Sequence, residues 1–259
     1  MQRKYLIVLF ILLTHWACKK DNPSPHKEAS SVESIIRITK NSELYEKYKY
    51  TNSKAIYYKD YSGEQLKTYH FQYDSSGLVS ETLVKDEYEN ILSRYEYRYN
   101  KKDSLISSIS IYKMKDNDLT FIETKELIYD SLQRLTKIEG YLPETFAYQD
   151  KNVIKHGEVS NDGIWTDYTY SHDNKSNILS EIGVPLKEVK FISHHNILSK
   201  TAKWDEYIDI MEQEDTTNRV ISKTELVYSS TFEYNSKRLP QVEYRKYSDR
   251  TDTLNYFYE

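Results

Sequence analysis

The chain has 259 residues, with 36 basic and 40 acidic side chains and a formal net charge of −4. A mildly acidic surface of mixed sign argues against a nucleic-acid partner, because phosphate binding depends on an excess of lysine and arginine. The sequence contains 26 tyrosines but only 6 glycines. Because aliphatic side chains are too few for a thick apolar core, the tyrosines must supply much of the buried surface.

Residues 1–17 have the composition of a secretory signal peptide. The chain begins with a basic stretch, continues with an uncharged apolar run over residues 5–13, and places Ala17 before its only cysteine, Cys18. The apolar run is shorter than the roughly 20 residues that a helix needs to cross a bilayer. We therefore expect the segment to be removed after Ala17 and not kept as a membrane anchor.

Cys18 is the candidate site of lipid attachment. The Ala17-Cys18 step resembles the lipobox of bacterial lipoproteins, although His15 and Trp16 replace its usual leucine and small residue. A lone thiol in an exported chain cannot form an internal disulfide, and acylation would explain its presence. Lys19 after the cysteine, in place of an aspartate, resembles lipoproteins that reach the outer membrane of Gram-negative cells. The alternative is an ordinary signal peptide with an incidental cysteine.

Residues 18–31 are predicted to form a flexible tether. They contain two prolines and no hydrophobic periodicity, which is typical of an unfolded linker. We expect the membrane to be a partner through the lipid on Cys18, with the protein at the cell outer membrane. The sequence leaves the periplasmic and extracellular faces open as alternatives.

Residues 32–259 are predicted to form a succession of β-hairpins. Aromatic side chains alternate with polar ones and are followed by Asp, Asn or Ser, which is typical of strands with one covered face. The predicted turns follow aromatic anchors at Tyr73, Tyr99, Tyr129, Tyr148, Tyr170, Phe191 and Tyr234. Their usual spacing of roughly 20–26 residues fits one hairpin. The gap after Phe191 is about twice as long and predicts a hidden, degenerate copy.

In the clearest unit, tyrosines and the aliphatic residues of the return strand are expected to face the core, with charges facing water. The inward set is Tyr95, Tyr97, Tyr99, Leu105, Ile109 and Ile111, and the outward set is Arg94, Glu96 and Arg98. A slip by one residue would bury the charges, so the register is strongly specified. Since glycines are few, Asn and Asp are expected at positive-φ turn positions. The residues expected there are Asn100, Asp103, Asn152, Asn174, Asn177 and Asn196.

Two stretches, Ser42–Tyr50 and Trp204–Met211, fit either a helix or a strand. The second has apolar residues spaced as on a helix face, but a twisted strand accommodates them equally well. We favour strands for both, because hairpins surround them.

Several units resemble the tyrosine–aspartate (YD or Rhs-type) repeat, whose consensus is Tyr-Asp-x-x-Gly-Arg-Leu. Residues 129–135 match it with Gln133 in place of the glycine, and residues 73–77 match its first half. The stretch 232–240 and the ending Tyr256-Phe257-Tyr258 resemble Gram-negative lipoproteins that carry a domain of unknown function with a porin-like β fold. The resemblance covers most of the predicted β domain and implies no catalytic residues.

Few residues indicate chemistry. His194 and His195 would point to opposite faces of a strand, so a turn is a more common explanation than a shared metal. The run 116–118 begins like a calcium loop but lacks the later ligands, which favours a hairpin turn. We therefore predict no metal and no cofactor. Glu81 and Glu158 are expected to face inward, and two adjacent inward carboxylates could support glycoside hydrolysis.

Trp165, Tyr168 and Tyr170 are the candidate ligand contacts. Trp165 has the opposite parity to the two tyrosines, so a regular strand would expose it, whereas a bulge or strand end would bury it. An exposed tryptophan can stack on a sugar or a protein partner. A glycan or a cell-surface protein is therefore an expected partner.

The sequence predicts an all-β fold after the signal peptide and tether. The expected architecture is an antiparallel meander of about 12–16 strands, curled into a barrel or half-barrel. The favoured function is a lipid-anchored, non-catalytic binding or scaffold module of the cell envelope, and the alternative is a glycan-active hydrolase. An integral membrane barrel is disfavoured, because the outward face carries Arg94, Glu96 and Arg98.

Overall fold

The computed structural model describes residues 33–52, 54–63, 65–182, 184–186, 188–212 and 215–259, without the side chains of residues 189 and 206–219. The signal peptide, the tether and Cys18 lie outside these residues, so the expectations for them stay predictions. Within the described part, sixteen strands form one sheet. They are β1 (Glu33–Lys40), β2 (Glu43–Thr51), β3 (Lys54–Asp60), β4 (Lys67–Tyr73), β5 (Val79–Lys85), β6 (Ile91–Tyr99), β7 (Ile106–Lys115), β8 (Asp118–Tyr129), β9 (Leu135–Glu139), β10 (Glu144–Gln149), β11 (Asn152–Val159), β12 (Trp165–Ser176), β13 (His195–Glu212), β14 (Asp215–Tyr234), β15 (Pro240–Lys246) and β16 (Thr251–Tyr258).

The sheet closes into a barrel because its first and last strands pair. β1 is antiparallel to β16, with Ile36 opposite Tyr258 and Ile38 opposite Tyr256. Every other strand pairs with its neighbours in chain order. This confirms the predicted all-β antiparallel meander and selects the barrel over the half-barrel. Among the described residues, the structure contains no helix with the length and apolar character needed to span a membrane.

Phenol rings cover much of the inner wall. Tyr97 is 8% exposed and lies opposite Ile109, as predicted. Tyr48 stacks on Tyr58 with ring centroids 4.8 Å apart, and Tyr58 stacks on Tyr69 at 5.2 Å. Such offset aromatic contacts add to the free energy gained by burying the rings. Tyrosines therefore supply much of the buried surface, as the composition indicates, around fully buried aliphatic residues such as Ile36, Ile38 and Val153.

At one end of the barrel, a tyrosine recurs at the last or second-last position of a strand, each time at a β-bulge. These tyrosines are Tyr50, Tyr73, Tyr99, Tyr129, Tyr148 and Tyr234. Tyr73 donates its hydroxyl hydrogen bond to the carbonyl oxygen of Ala55 at 2.7 Å, and Tyr99 donates to that of Val79 at 2.7 Å. Each of these two rings is thus bonded to the strand that precedes its own.

Five turns share one hydrogen-bonding pattern, in which the fourth residue has a positive φ. In the turn that begins at Asp74, its carboxylate accepts from the backbone nitrogens of Ser76 at 2.9 Å and Leu78 at 3.0 Å. The fourth residues are Gly77, Glu89, Gln133, Gly163 and Arg238. The sequence expectation of positive φ at Asn100, Asp103, Asn152, Asn174, Asn177 and Asn196 is wrong. Several of these side chains instead bond to nearby backbone, as Asn100 does by accepting from the Lys102 nitrogen.

The connection between β12 and β13 enters the barrel. We call residues 177–194 the lumen segment and the barrel end from which it enters, where the six tyrosines lie, the plug end. The segment contains two short helices, α1 (Ile178–Glu181) and α2 (Val189–Ile192). Phe191 packs edge-on against inner-wall rings, with centroid distances of 6.2 Å to Tyr48 and 5.8 Å to Tyr58. The segment is therefore part of the core.

Three predicted features of the repeat are wrong. Tyr170 does not precede a turn but lies inside β12, and Phe191 lies in α2. Both are aromatic because they are buried, and their spacing imitates the hairpin period. No hidden copy follows Phe191 in the described residues, since β13 and β14 form one long hairpin there. Ser42–Tyr50 and Trp204–Met211 lie largely or wholly in strands, as favoured.

The positive-φ position of the shared turn predicts a gain in stability from glycine. Gln133 occupies the position that Gly77 and Gly163 hold in equivalent turns. A side chain at this positive φ destabilises the folded state by about 1–2 kcal/mol. Replacing it with glycine removes this strain, but the greater conformational entropy of glycine in the unfolded chain cancels part of the gain. Gln133→Gly should raise the free energy of unfolding by about 0.5–1 kcal/mol in urea denaturation.

Gly163→Ala is the matched control, because a Cβ at Gly163 would meet no atom within 4 Å. The strain of an alanine at this positive φ is then the only expected effect, so the substitution should lower the free energy of unfolding. A loss of stability in Gln133→Gly would contradict the turn geometry.

Candidate functional site

The predicted contact residues lie on two faces of β12. Tyr168 and Tyr170 face the lumen, with Tyr168 opposite His156 of β11. Trp165 faces outward and is 39% exposed, which is the outcome expected for a regular strand. The three residues therefore cannot line one binding site, and a ligand at any of them stays a prediction.

The Trp165 side chain is fixed on the outer wall. Its indole lies over Gly157 of the adjacent strand, where a Cβ would collide with the ring. The indole Nε1 donates a hydrogen bond to Asp167 Oδ1 at 3.0 Å. Asp167 is also 3.5 Å from the Lys155 ammonium. A glycine and a carboxylate thus hold one face of the ring against the sheet.

A cavity of about 440 Å³ lies beside Trp165, at the barrel end opposite the plug end. It is lined by the turn between β11 and β12 and by the base of the β13–β14 hairpin. We call it the Trp165 groove, and its lining includes Asp162, Trp165, Asp167, Lys203, Trp204 and Asp205. Carboxylates accept hydrogen bonds from hydroxyl groups, and an indole face stacks on an apolar ring face. This combination suits a sugar.

A second polar cluster lies on the inner wall. The register of β10 and β11 places Glu144 opposite Glu158 and Phe146 opposite His156. His156 Nε2 is 3.1 Å from Glu144 Oε2 and 3.8 Å from Glu158 Oε2. We call Glu144, His156 and Glu158 the inner-wall triad. Its ligand atoms all lie within 4.8 Å of one another.

Aromatic rings and two lysines surround the triad. His156 stacks between Phe146 at 4.7 Å and Tyr168 at 5.9 Å. The Lys125 ammonium is 3.5 Å from Glu144 Oε1, and the Lys200 ammonium lies 3.8 Å from the centroid of the Tyr168 ring. The two carboxylates of the triad therefore have two cations close by.

The electrostatics of the triad favour permanent charge on Glu144. Burial opposes its ionisation, but the hydrogen bond to His156 and the charge of Lys125 together hold the pKa of Glu144 below its ordinary value. Burial lowers the pKa of Lys200, although Glu158 opposes this. Burial, followed by Glu158, raises the pKa of Tyr168 to about 12.

These charges limit the chemistry that the triad can perform. A glycosidase acid needs a carboxyl group with a raised pKa, and Glu144 has the opposite shift. One imidazole and two carboxylates are a set that could hold a divalent cation. The same groups also form a self-contained network with Lys125. The expectation of no metal stays a prediction.

Glu158 faces inward as predicted, but Glu81 does not. Glu81 lies opposite Gln72, and its carboxylate is 3.8 Å from the Arg94 Nε on the outer wall. The bulge at Tyr73 inserts one residue between Val79 and Glu81 and reverses the inward parity. The proposed pair of inward carboxylates is therefore wrong for Glu81.

Glu144 is the inward neighbour of Glu158 that sequence reasoning missed. The alternation Glu144, Phe146, Tyr148 was the available signal, since two inward aromatics follow the glutamate at every second position.

The other candidate ligands are explained by local structure. His194 precedes β13, and its backbone nitrogen donates to the Lys151 carbonyl oxygen at 3.3 Å. His195 begins β13, with its Nδ1 3.1 Å from Asn152 Nδ2. Asp116 and Asn117 have positive φ and form the turn between β7 and β8, as favoured.

No protein-family model matches the sequence, and no curated protein matches it. The structure is similar to two crystal structures of porin-like proteins, from Bacteroides uniformis (13% identity, TM-score 0.47, 88% of this chain and 98% of that chain) and Bacteroides vulgatus (11%, 0.36, 87% and 97%). It is also similar to a chain of the Photorhabdus luminescens Tc holotoxin pore (10%, 0.30, 83% of this chain and 11% of that chain). The strand pairing alone establishes the barrel.

The lowered pKa of Glu144 predicts a pH-dependent contribution to stability. A carboxylate of this kind stabilises the fold above its unfolded-state pKa, near 4.3, and the contribution disappears as pH falls through the folded-state pKa. Glu144→Gln should lower the free energy of unfolding at pH 7 by about 1–2 kcal/mol. Urea denaturation at pH 7, 5 and 3.5 should show the difference shrinking at the lowest value.

Glu139→Gln is the control, because Glu139 pairs with Lys137 where both side chains are about half exposed. Such surface pairs contribute little, so this variant should stay within about 0.5 kcal/mol of the wild type. A Glu144→Gln difference that does not change with pH would contradict the assignment.

Proposed function

We propose that the chain is a lipid-anchored, non-catalytic binding module of the cell envelope, located at the outer membrane. Its ligand is a glycan that stacks on Trp165. The observation that carries this proposal is the Trp165 groove, where an exposed indole lies beside three carboxylates. Cys18 after a signal-like segment is the sequence feature that supports anchoring.

The lumen segment inside the barrel supports a binding role over a transport role. A barrel of sixteen strands is wide enough for an aqueous channel when its interior is empty. Here the lumen segment packs against the inner wall through Phe191, and the Lys190 ammonium lies 2.8 Å from Glu46 Oε1. This packing supports glycan recognition on the outer wall of the barrel.

The charged outer wall supports attachment through a lipid. A barrel inserted in a membrane presents a continuous apolar band to the lipid chains. On β6, the Arg94 guanidinium is 2.9 Å from Glu96, and Lys155 of β11 pairs with Asp167 of β12. These pairs suit a water-facing wall, which leaves anchoring to the N-terminal segment.

Acylation of Cys18 is tested by metabolic labelling. Radiolabelled palmitate should enter the protein in a Gram-negative host and remain with the membrane fraction after high-salt washing, because two or more acyl chains anchor stably. Cys18→Ser should abolish the label and release the protein from membranes. Label in the Cys18→Ser protein, or none in the wild type, would contradict lipid attachment at this residue.

Glycan recognition is tested with an unlipidated protein that begins at Ser31. Binding to a glycan array should identify a sugar ligand, and Trp165→Ala should weaken its affinity about tenfold, since the stacking face is lost. Phe257→Ala is the matched control, because Phe257 is an outward aromatic of similar exposure. An array without any binding, or equal affinity in both variants, would remove the sugar hypothesis and leave a protein partner to be sought.

A further inference from the structure

The lumen segment fills the barrel unevenly. Phe191 and Lys190 contact Tyr48, Tyr58 and Glu46, which lie on β2 and β3. On the side where β1, β2 and β13–β16 surround the segment, the remaining cavity is about 150 Å³. This half of the lumen is nearly closed.

The other half contains a cavity of about 600 Å³ that opens at the plug end. Strands β4–β10 form one wall, with apolar side chains that include Leu78, Ile106 and Leu135. The lumen segment forms the opposite wall through Val184, Pro185 and Ile192. The size is within the range of small-molecule pockets, and the lining suits an apolar ligand.

Four of the six tyrosines at the plug end, Tyr73, Tyr99, Tyr129 and Tyr148, also line this cavity. The hydroxyls of Tyr73 and Tyr99 are bonded to backbone carbonyl oxygens. The Tyr129 hydroxyl is buried and has no hydrogen-bond partner among the described residues. A buried hydroxyl without a partner destabilises a fold, so a polar group supplied by a ligand would be favourable there.

The polar groups of the cavity lie at its rim. Tyr129 ends β8 just before the turn that carries Arg134, and Lys151 lies in the next turn at the same barrel end. The Arg134 guanidinium is held by Asp130 and by the Asp150 carbonyl oxygen. No ion pair engages the Lys151 ammonium within the described part of the chain. A cation and an unpaired hydroxyl at the mouth of an apolar cavity match an acidic head group followed by an alkyl chain.

We propose that this cavity binds a fatty-acid-class amphiphile. The alkyl chain lies between the lumen segment and the β4–β10 wall, and the carboxylate lies at the rim near Tyr129 and Lys151. The first described residue, Glu33, lies at the same barrel end as the cavity mouth. The alkyl chain has two potential sources, namely a free fatty acid and an acyl chain attached to Cys18.

The probe is palmitate, titrated calorimetrically into the full chain carrying Cys18→Ser, which has no lipid of its own. One palmitate should bind per protein. Ile106→Trp, which fills the cavity, should lower the affinity at least tenfold, and hexadecanol should bind more weakly than palmitate because it lacks the acidic head. Absence of saturable binding, or unchanged affinity in an Ile106→Trp protein that melts cooperatively, would overturn the proposal.

The repeat supplies a matched pair of variants. Tyr129→Phe removes the unpaired hydroxyl, so it should raise the melting temperature of the free protein and weaken palmitate binding about fivefold. Tyr258→Phe, which lies outside the cavity lining, removes a hydroxyl bonded to the Pro240 carbonyl oxygen, so it should lower the melting temperature and leave the palmitate affinity unchanged. Equal effects of the two variants on affinity would overturn the assigned position of the head group.

A palmitate titration of the lipidated wild type distinguishes the two sources of the alkyl chain. If it takes up palmitate as the Cys18→Ser protein does, the ligand is a free amphiphile. If it does not while the Cys18→Ser protein does, its own acyl chain occupies the cavity. Both outcomes support the proposal. Because the titration that tests binding itself uses the unlipidated Cys18→Ser protein, its result does not depend on glycan recognition or on the anchoring of the chain.

Discussion

A buried tyrosine must satisfy two requirements at once, since its ring belongs in an apolar core and its hydroxyl needs a hydrogen-bond partner. The rest of the barrel follows from how this chain meets both. Tyr73, Tyr99 and Tyr258 each donate to a backbone carbonyl oxygen on the preceding strand, at 2.7 Å. The bulge at the first two of these tyrosines places the ring inward just before the turn. Hairpins are therefore joined to each other by side chains as well as by the sheet.

The shortage of aliphatic residues also explains why a segment of the chain packs inside the barrel. Sixteen strands enclose more space than inward side chains can fill, so a chain with few aliphatic residues needs an additional core element. The lumen segment supplies it. The charges that the segment and the inner wall bury are paired, as Lys190 is with Glu46 and Arg245 is with Glu243. Unpaired buried charges would destabilise the fold by more than the packing contributes. The uneven filling that results creates the cavity at the plug end.

Much of the architecture could be predicted from the sequence, because strand alternation is a local signal. The inward positions of Tyr97 and Ile109 followed from parity alone. Leu105 was wrongly placed, because the bulge at Tyr99 puts Ile106 opposite that ring. Trp165 is outward as parity indicates, and the burial expected at a bulge or strand end does not occur. Parity failed at Glu81, because a bulge adds one residue and reverses the faces, and a bulge leaves little trace in the sequence. The spacing rule failed at Tyr170 and Phe191, because burial in a strand or a lumen helix selects the same aromatic side chains as a hairpin anchor does.

The candidate sites were less predictable than the fold, because they depend on contacts between distant strands. Trp165 is the candidate contact residue that the sequence indicates, but its groove also needs Asp205 and Lys203 from the β13–β14 hairpin. The pairing of Glu144 with Glu158 depends on the register of β10 and β11, which alternation does not specify across a bulge. The cavity beside Tyr129 depends on where the lumen segment packs, and a segment of two four-residue helices has no periodic signal of its own.

If tyrosines supply much of the interior, many of their phenols must resist ionisation, and alkaline spectrophotometric titration measures this. Burial raises the pKa of Tyr73, Tyr99 and Tyr228 to about 12, and raises those of Tyr48, Tyr58 and Tyr256 further. We expect two phases, in which the fourteen strongly shifted tyrosines of the described residues, about half of the 26, ionise only near or above pH 12, together with loss of the β-sheet circular dichroism. Ionisation of all 26 tyrosines in one step near pH 10, with the sheet intact, would contradict it.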